Sequence, residues 1–515
     1  MAKSRLQKSI LNARIGLFFY FITLVLSFFS RKIFLECLGA EFIGLTGTLQ
    51  NILGFLNLAE LGIGTCISFF LFKPIQKENK IKIIEIMSIF GYLYRKIGII
   101  IAIGGVLTSI SFIFIFKNTM FNMAIIYFSF ASYLGSSLIG YFINYKQILL
   151  GADQKNYIVS AYIQTINIIK IILQISLAYN YKNLYLWVAT EFIFGVVICV
   201  TLNWKINKEY PWLKTNIKDG KLLLKKYPEI LTNTKQIFIH QIKDFLLSKS
   251  DGIMIFAFVS LKMVAFYGNY TMIIYKLITM INTTLDGVSA GVGNLVAEGN
   301  KKNIMKVFWE LMSIRYFIAG VIVFSLYHLM DPFIIWWLGA EYQLSHTILI
   351  LLLINFFIMQ TRGVVDIFNH SHGLYSDTWS AWAEGIINIV VTIIAATKWG
   401  IIGILLGKVT SISLIVVLWK PYYLFTKGLK ISIKTYWAGT IRYYVAFIIS
   451  FVSISIASKF LPFNPKENIQ KLFIYGTFTI IPFTLLYFST ILFATLGMKD
   501  VIKRFFIFKK LFKNK

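Results

Sequence analysis

Uninterrupted runs of about 20 or more apolar residues recur along the whole chain, and nothing else constrains its fold so tightly. That is the length a helix needs to cross about 30 Å of hydrocarbon. Backbone polar groups at that depth find no water, so only helices or closed barrels satisfy them. A spanning barrel would alternate apolar and polar residues, and these runs do not. The chain has 515 residues, of which 57% are hydrophobic and 14% charged. A soluble domain is nearer half apolar and a quarter charged. The reading is an all-α integral membrane protein.

Fourteen spans are expected, at roughly 13–35, 42–71, 90–116, 120–145, 157–180, 184–204, 234–259, 263–296, 307–330, 344–369, 377–397, 400–425, 437–459 and 470–496. The second and eighth exceed what a perpendicular helix requires, so they should tilt, kink or project. With the amino terminus inside, 35 of the 51 Lys and Arg residues fall in one set of alternate loops and 9 in the other. That bias places both termini in the cytoplasm. The formal charge of +29 is therefore topogenic, and no basic domain or motif stands apart to bind nucleic acid.

The chain also repeats itself. Ser160–Ile169 (SAYIQTINII) resembles Ser380–Ile389 (SAWAEGIINI) at an offset of 220, and Glu41–Gly47 (EFIGLTG) resembles Lys262–Gly268 (KMVAFYG) at 221. Two matches at one offset suggest two six-helix lobes of the same orientation, with a substrate path at their interface. The expected domains are 1–225, an amino-terminal lobe with linker; 226–430, a second lobe; 431–497, an added helix pair; and 498–515, a basic cytoplasmic tail. The basic stretch 205–235 reads as the linker.

Catalytic motifs are few. Gly287-Val288-Ser289-Ala290-Gly291 matches a hydrolase elbow in letters, but it lies in an apolar helix and reads as small-residue packing. His370-Ser371-His372 lacks the spacing and companions of a metal site. Cys37, Cys66 and Cys199 form no pairing motif, and no nucleotide-binding loop or cleavable signal peptide is present. No cofactor is implied.

Ionisable groups inside spans carry the information, because each costs several kcal/mol at the bilayer centre unless paired or wetted. The seventh span holds His240, Asp244, Ser248 and Asp251 at spacings of four, four and three, a polar stripe that cannot face lipid. At the repeat offset Asp251 falls opposite Ser30, next to Arg31. Arg31, Lys170, Lys276 and Arg315 form a cationic set suited to an anionic head group. Glu60, Asp286 and Glu384 are candidates to titrate or to bind a coupling cation, H+ or Na+.

Leu38–Gly64 (LGAEFIGLTGTLQNILGFLNLAELGIG), the following FLFKPIQKENKIKI, Tyr145–Gln164 (YKQILLGADQKNYIVSAYIQ) and SKSDGIMIFAFVSLKMVAFYGNYTMII resemble bacterial polysaccharide flippases of the Wzx type. These belong to the multidrug/oligosaccharidyl-lipid/polysaccharide exporter superfamily. The resemblance implies two six-helix lobes in a V, two added helices, and alternating access. The cargo implied is an undecaprenyl-diphosphate-linked oligosaccharide for O-antigen, capsule or exopolysaccharide. It also implies a cationic cavity, residence in the cytoplasmic membrane, and a polysaccharide polymerase and chain-length regulator as companions. Glu60, within LAELGIG, matches a recurring family position. A cation-coupled drug exporter and a peptidoglycan-precursor flippase are the related alternatives. A membrane polymerase or ligase would be expected to carry a large outer loop, whereas the longest outer loop here is roughly 331–343.

Overall fold

The computed structural model describes residues 5–60, 62–285, 288–374, 376–495 and 497–504, and every regular element among them is helical. Over its described residues, each of the fourteen expected stretches is mostly helical. Eleven described helices are long and apolar enough to cross a membrane unaided. The other three passes are the second, which is broken; the seventh, which carries the polar stripe; and the eighth.

The chain forms two compact units, Met1–Ala265 and Phe266–Lys515. The first contains α1 (Arg5–Leu38), α2 (Ala40–Leu56), α3 (Ile63–Gln76), α4 (Lys80–Ile110), α5 (Met123–Ala152), α6 (Asn156–Tyr181), α7 (Leu184–Glu209), the short α8 (Gly220–Lys226) and α9 (Glu229–Phe258). Helix α9 packs on α2 and α3, and α10 (Leu261–Leu285) begins just before the division. The stretch read as a linker is docked rather than free. Leu213 and Ile230 sit in the core of this unit with Ile86 and Phe90 of α4. Asn216 donates its backbone N–H to Ser88 at 3.0 Å.

The loop within the GADQKN segment is pinned in the same way. The Lys155 ammonium lies 2.8 Å from Asp153 and 2.9 Å from Glu209, above the Tyr210 ring. Burial pushes the ammonium down, but its bonds to the two carboxylates outweigh that and leave it above the ordinary lysine value.

The second unit contains most of α10, then α11 (Val288–Glu298), α12 (Lys301–Leu338), α13 (His346–Ser371), α14 (Thr378–Trp399), α15 (Ile401–Leu429), α16 (Ile433–Ser458) and α17 (Ile469–Ala494). A last helix, α18, covers 497–504. The added pair, α16 and α17, packs on α12. Helix α12 continues through Pro332 to Leu338, so the outer loop expected at 331–343 is shorter than its sequence suggested. Pro332 reads as a breaker, yet a helix interior tolerates proline where neighbouring groups compensate for the lost bond.

The repeat is visible in backbone detail. Asn79 caps α4 by accepting from the Lys82 N–H at 3.0 Å, and Asn300 caps α12 by accepting from the Asn303 N–H at 3.2 Å. Both caps follow a residue in the left-handed region, Glu78 (φ 52°) and Gly299 (φ 74°). These pairs are 221 residues apart, the offset read from EFIGLTG and KMVAFYG.

Candidate functional site

In the first unit the second pass is discontinuous. Helix α2 ends at Leu56, a single 3-10 turn covers Asn57–Glu60, and α3 starts at Ile63. The break is set by Gly62, which adopts φ 86°, ψ −24°, a conformation that side chains with a Cβ disfavour. Glu60 therefore stands at the positive end of α3, where a carboxylate is favoured. The Tyr94 hydroxyl of α4 donates to one of its oxygens, and the Tyr141 hydroxyl of α5 donates to the other at 2.5 Å. The two tyrosine rings lie 5.4 Å apart. Two such charge-assisted bonds compensate the part-buried carboxylate for lost hydration. Broken helices are the usual place for ion and substrate contacts in transporters.

The other predicted residues of this unit have different surroundings. Lys170 of α6 is paired with Glu191 of α7 at 2.9 Å, and Gln174 donates to the second Glu191 oxygen at 2.8 Å. Arg31 donates to the Ala265 carbonyl at 2.9 Å. Asp251 is buried on α9, and its repeat equivalent Ser30 is buried on α1. The backbone of α9 is described throughout. The side chains of His240, Lys243, Asp244, Ser248 and Lys249 lie outside the described residues, and so does Asp286.

In the second unit Arg315 of α12 is only 8% exposed. Its guanidinium donates to the Gln360 side-chain oxygen of α13 at 3.3 Å. Gly363, one turn further along α13, faces the same guanidinium: a Cβ there would meet Cζ at 3.4 Å. Glu384 is fully buried on α14, and Lys276 is half-buried on α10. The predicted cations are thus divided, Arg31 and Lys170 in one unit and Lys276 and Arg315 in the other. Among the described residues no group of three or more His, Cys, Asp or Glu is placed to hold a metal ion.

Some polar clusters were not foreseen. The Tyr270 hydroxyl donates to buried Asp331 at 2.8 Å and accepts the Leu344 N–H at 3.1 Å, with His346 3.3 Å from the other Asp331 oxygen. Asp331 lies at the start of the stretch expected as an outer loop, 331–343. Tyr94 and Tyr141 lie within expected spans and are not among the ionisable candidates there. Spacing could have found Gln174, which lies four residues after Lys170 on one helix face.

No protein-family model matches the sequence, and no curated protein matches it. Solved structures do match in fold. A structure described as lipid II flippase MurJ, in an inward closed conformation, superposes with a TM-score of 0.63 at 14% identity, covering 94% of this chain and 100% of its own. An inward-facing multidrug resistance MATE family transporter of the MOP superfamily gives 0.58 at 15% identity, covering 78% and 94%. A mutant of the Vibrio cholerae MATE transporter VcmN gives 0.51 at 13% identity, covering 82% and 99%. The chain has the fold these transporters share.

Proposed function

We propose that this chain is a flippase that carries undecaprenyl-diphosphate-linked oligosaccharide units across the cytoplasmic membrane for surface polysaccharide synthesis. The observation that carries the reading is the extent of the fold match. It runs over 94% of this chain with a lipid flippase, but over 78% and 82% with the drug exporters. The remainder left by the exporters is comparable in length to the added pair and tail.

In this reading both termini are cytoplasmic, as the loop charge bias requires. Lys276 and Arg315 attract the diphosphate during alternating access. The prenyl tail stays in lipid, which avoids desolvating or ordering it inside the protein. Glu60, held by two tyrosine hydroxyls at a helix break, takes up and releases the coupling cation, H+ or Na+. No bond of the cargo is made or broken, so the chain is a transporter and not an enzyme. A polymerase and a chain-length regulator would act on the cargo after translocation.

The test is complementation of a flippase-deletion strain. Lys276→Ala and Arg315→Ala are expected to insert normally and to export glycan poorly. Full export by both variants would remove the cationic path from the proposal.

A further inference from the structure

A cavity of about 490 Å³ opens where the added helix pair meets α12. Its wall on α16 is a single helix face: Lys434, Ala438 and Arg442 recur every four residues, beside Thr435, Gly439 and Tyr443. The opposite wall is Trp309 of α12. Two close approaches shape the floor. A Cβ at Gly439 would lie 2.2 Å from the Trp309 ring, and one at Gly497 would lie 2.1 Å from the Trp309 carbonyl oxygen. The aromatic floor is rigid, since Trp309 stacks with Tyr443 and the Tyr443 hydroxyl is 2.7 Å from Ser313.

The electrostatics of this cavity have one sign. Among the described residues its lining holds Lys434 and Arg442 and no carboxylate. The first turn of α16 adds the positive end of a helix, capped only by Ser432. Arg442 is exposed, and its guanidinium makes a long hydrogen bond, 3.5 Å, to the Ala494 carbonyl at the end of α17. A guanidinium carries five N–H donors, and Arg442 is part of the cavity lining. The rise per helical residue separates Lys434 and Arg442 by about 12 Å along the axis. One cation therefore stands at the end of the pass and the other a little inside the interface. A tryptophan and a tyrosine beside two cations at that depth form a headgroup-level arrangement.

We propose that this cavity binds the headgroup of an anionic phospholipid, a phosphodiester held between Lys434, Arg442 and the first turn of α16. Basic pockets between transmembrane helices on the cytoplasmic side are known to receive such headgroups. The volume is within the range of small-ligand sites. The leaflet follows from parity: the start of α12, the start of α16 and the end of α17 all lie on the side of the Lys-rich loops and tail. The bound lipid would fasten the added pair to α12, with its tails filling the groove beside Trp309. The inference does not depend on the cargo of the transporter.

Native mass spectrometry of the full-length protein tests it, with phosphatidylglycerol, phosphatidylcholine and undecaprenyl diphosphate titrated separately. Phosphatidylglycerol is expected to bind more tightly than phosphatidylcholine. Lys434→Gln and Arg442→Gln should each weaken that preference about five-fold. Ala438→Phe, at an exposed position, keeps both charges and fills the cavity; it should remove the tight site in a protein that elutes and melts like wild type. Equal binding of the two phospholipids would overturn the proposal, as would retention of the preference in all three variants. Tight binding of undecaprenyl diphosphate with no preference for phosphatidylglycerol would also overturn it, because the cavity would then belong to the cargo.

Discussion

Helices α4 and α12, which correspond at the repeat offset, carry different chemistry at the same station. Tyr94 lies 15 residues after the capping Asn79, and Arg315 lies 15 residues after the capping Asn300. In the first unit that station supplies a hydroxyl to Glu60. In the second it supplies a buried guanidinium that reaches Gln360. Cap, preceding left-handed residue and helix start are common to both. The repeat thus preserves the scaffold, and the charges mark where the units diverge. In the first unit Glu60 is clasped by two tyrosines and Glu191 neutralises Lys170. In the second, the station holds a cation suited to a phosphate.

The largest effect is expected at the clasp. Glu60→Gln keeps the shape and removes the charge. Charge-assisted hydrogen bonds contribute about 1.5–3 kcal/mol, so the glycan export rate should fall about ten- to a hundred-fold at normal insertion. Wild-type export would reduce Glu60 to a structural tie across the break, and the functional contrast between the units would vanish.

Next is the second station. Arg315→Tyr copies the first unit, and Arg315→Lys keeps the charge but loses the planar fork. Both should reduce export about ten-fold, the scale of one lost charged hydrogen bond. An Arg315→Tyr protein that exports normally would mean that the units do not differ in function at this position.

The ion pair between α6 and α7 comes third. Breaking a buried pair costs about 3–5 kcal/mol, and less here because each side chain is 18% exposed. Lys170→Met should therefore lower the melting temperature by several degrees. Lys170→Met with Glu191→Leu should recover most of that loss and keep export. A stable double variant without export would return Lys170 to the cargo path. The smallest effect tests the scaffold alone: Asn79→Ala and Asn300→Ala should each cost about 1 kcal/mol of thermal stability, and by similar amounts. Clearly unequal losses would show that the two caps no longer bear equivalent loads.

The passes were legible because spanning a bilayer demands length and apolarity, which a single sequence displays directly. The repeat was legible from two short matches, and its offset recurs in the caps. The break at Asn57–Glu60 appeared only as excess length in the second span, since Gly54, Gly62 and Gly64 all stand near it and only the backbone selects Gly62. Glu60 stood out as a charge among apolar residues. Its partners did not, because Tyr94 and Tyr141 lie on other helices and a tyrosine in a span reads as apolar until its hydroxyl has a partner. Lys170 stood out as a charge in a span, but its pairing with Glu191 depends on how α6 and α7 rotate against each other, which neither sequence segment specifies.

The central claim, that the cargo is a lipid-linked glycan, is tested most directly by reconstitution. Proteoliposomes would be loaded with a fluorescent undecaprenyl-diphosphate oligosaccharide, and its appearance in the opposite leaflet followed by accessibility to an external quencher. Transfer by the wild type, slowed about ten-fold in Arg315→Lys and about ten- to a hundred-fold in Glu60→Gln, is the predicted result. Transfer no faster than in empty liposomes, together with efflux of a cationic dye by the same preparation, would contradict the account and make the chain a drug exporter.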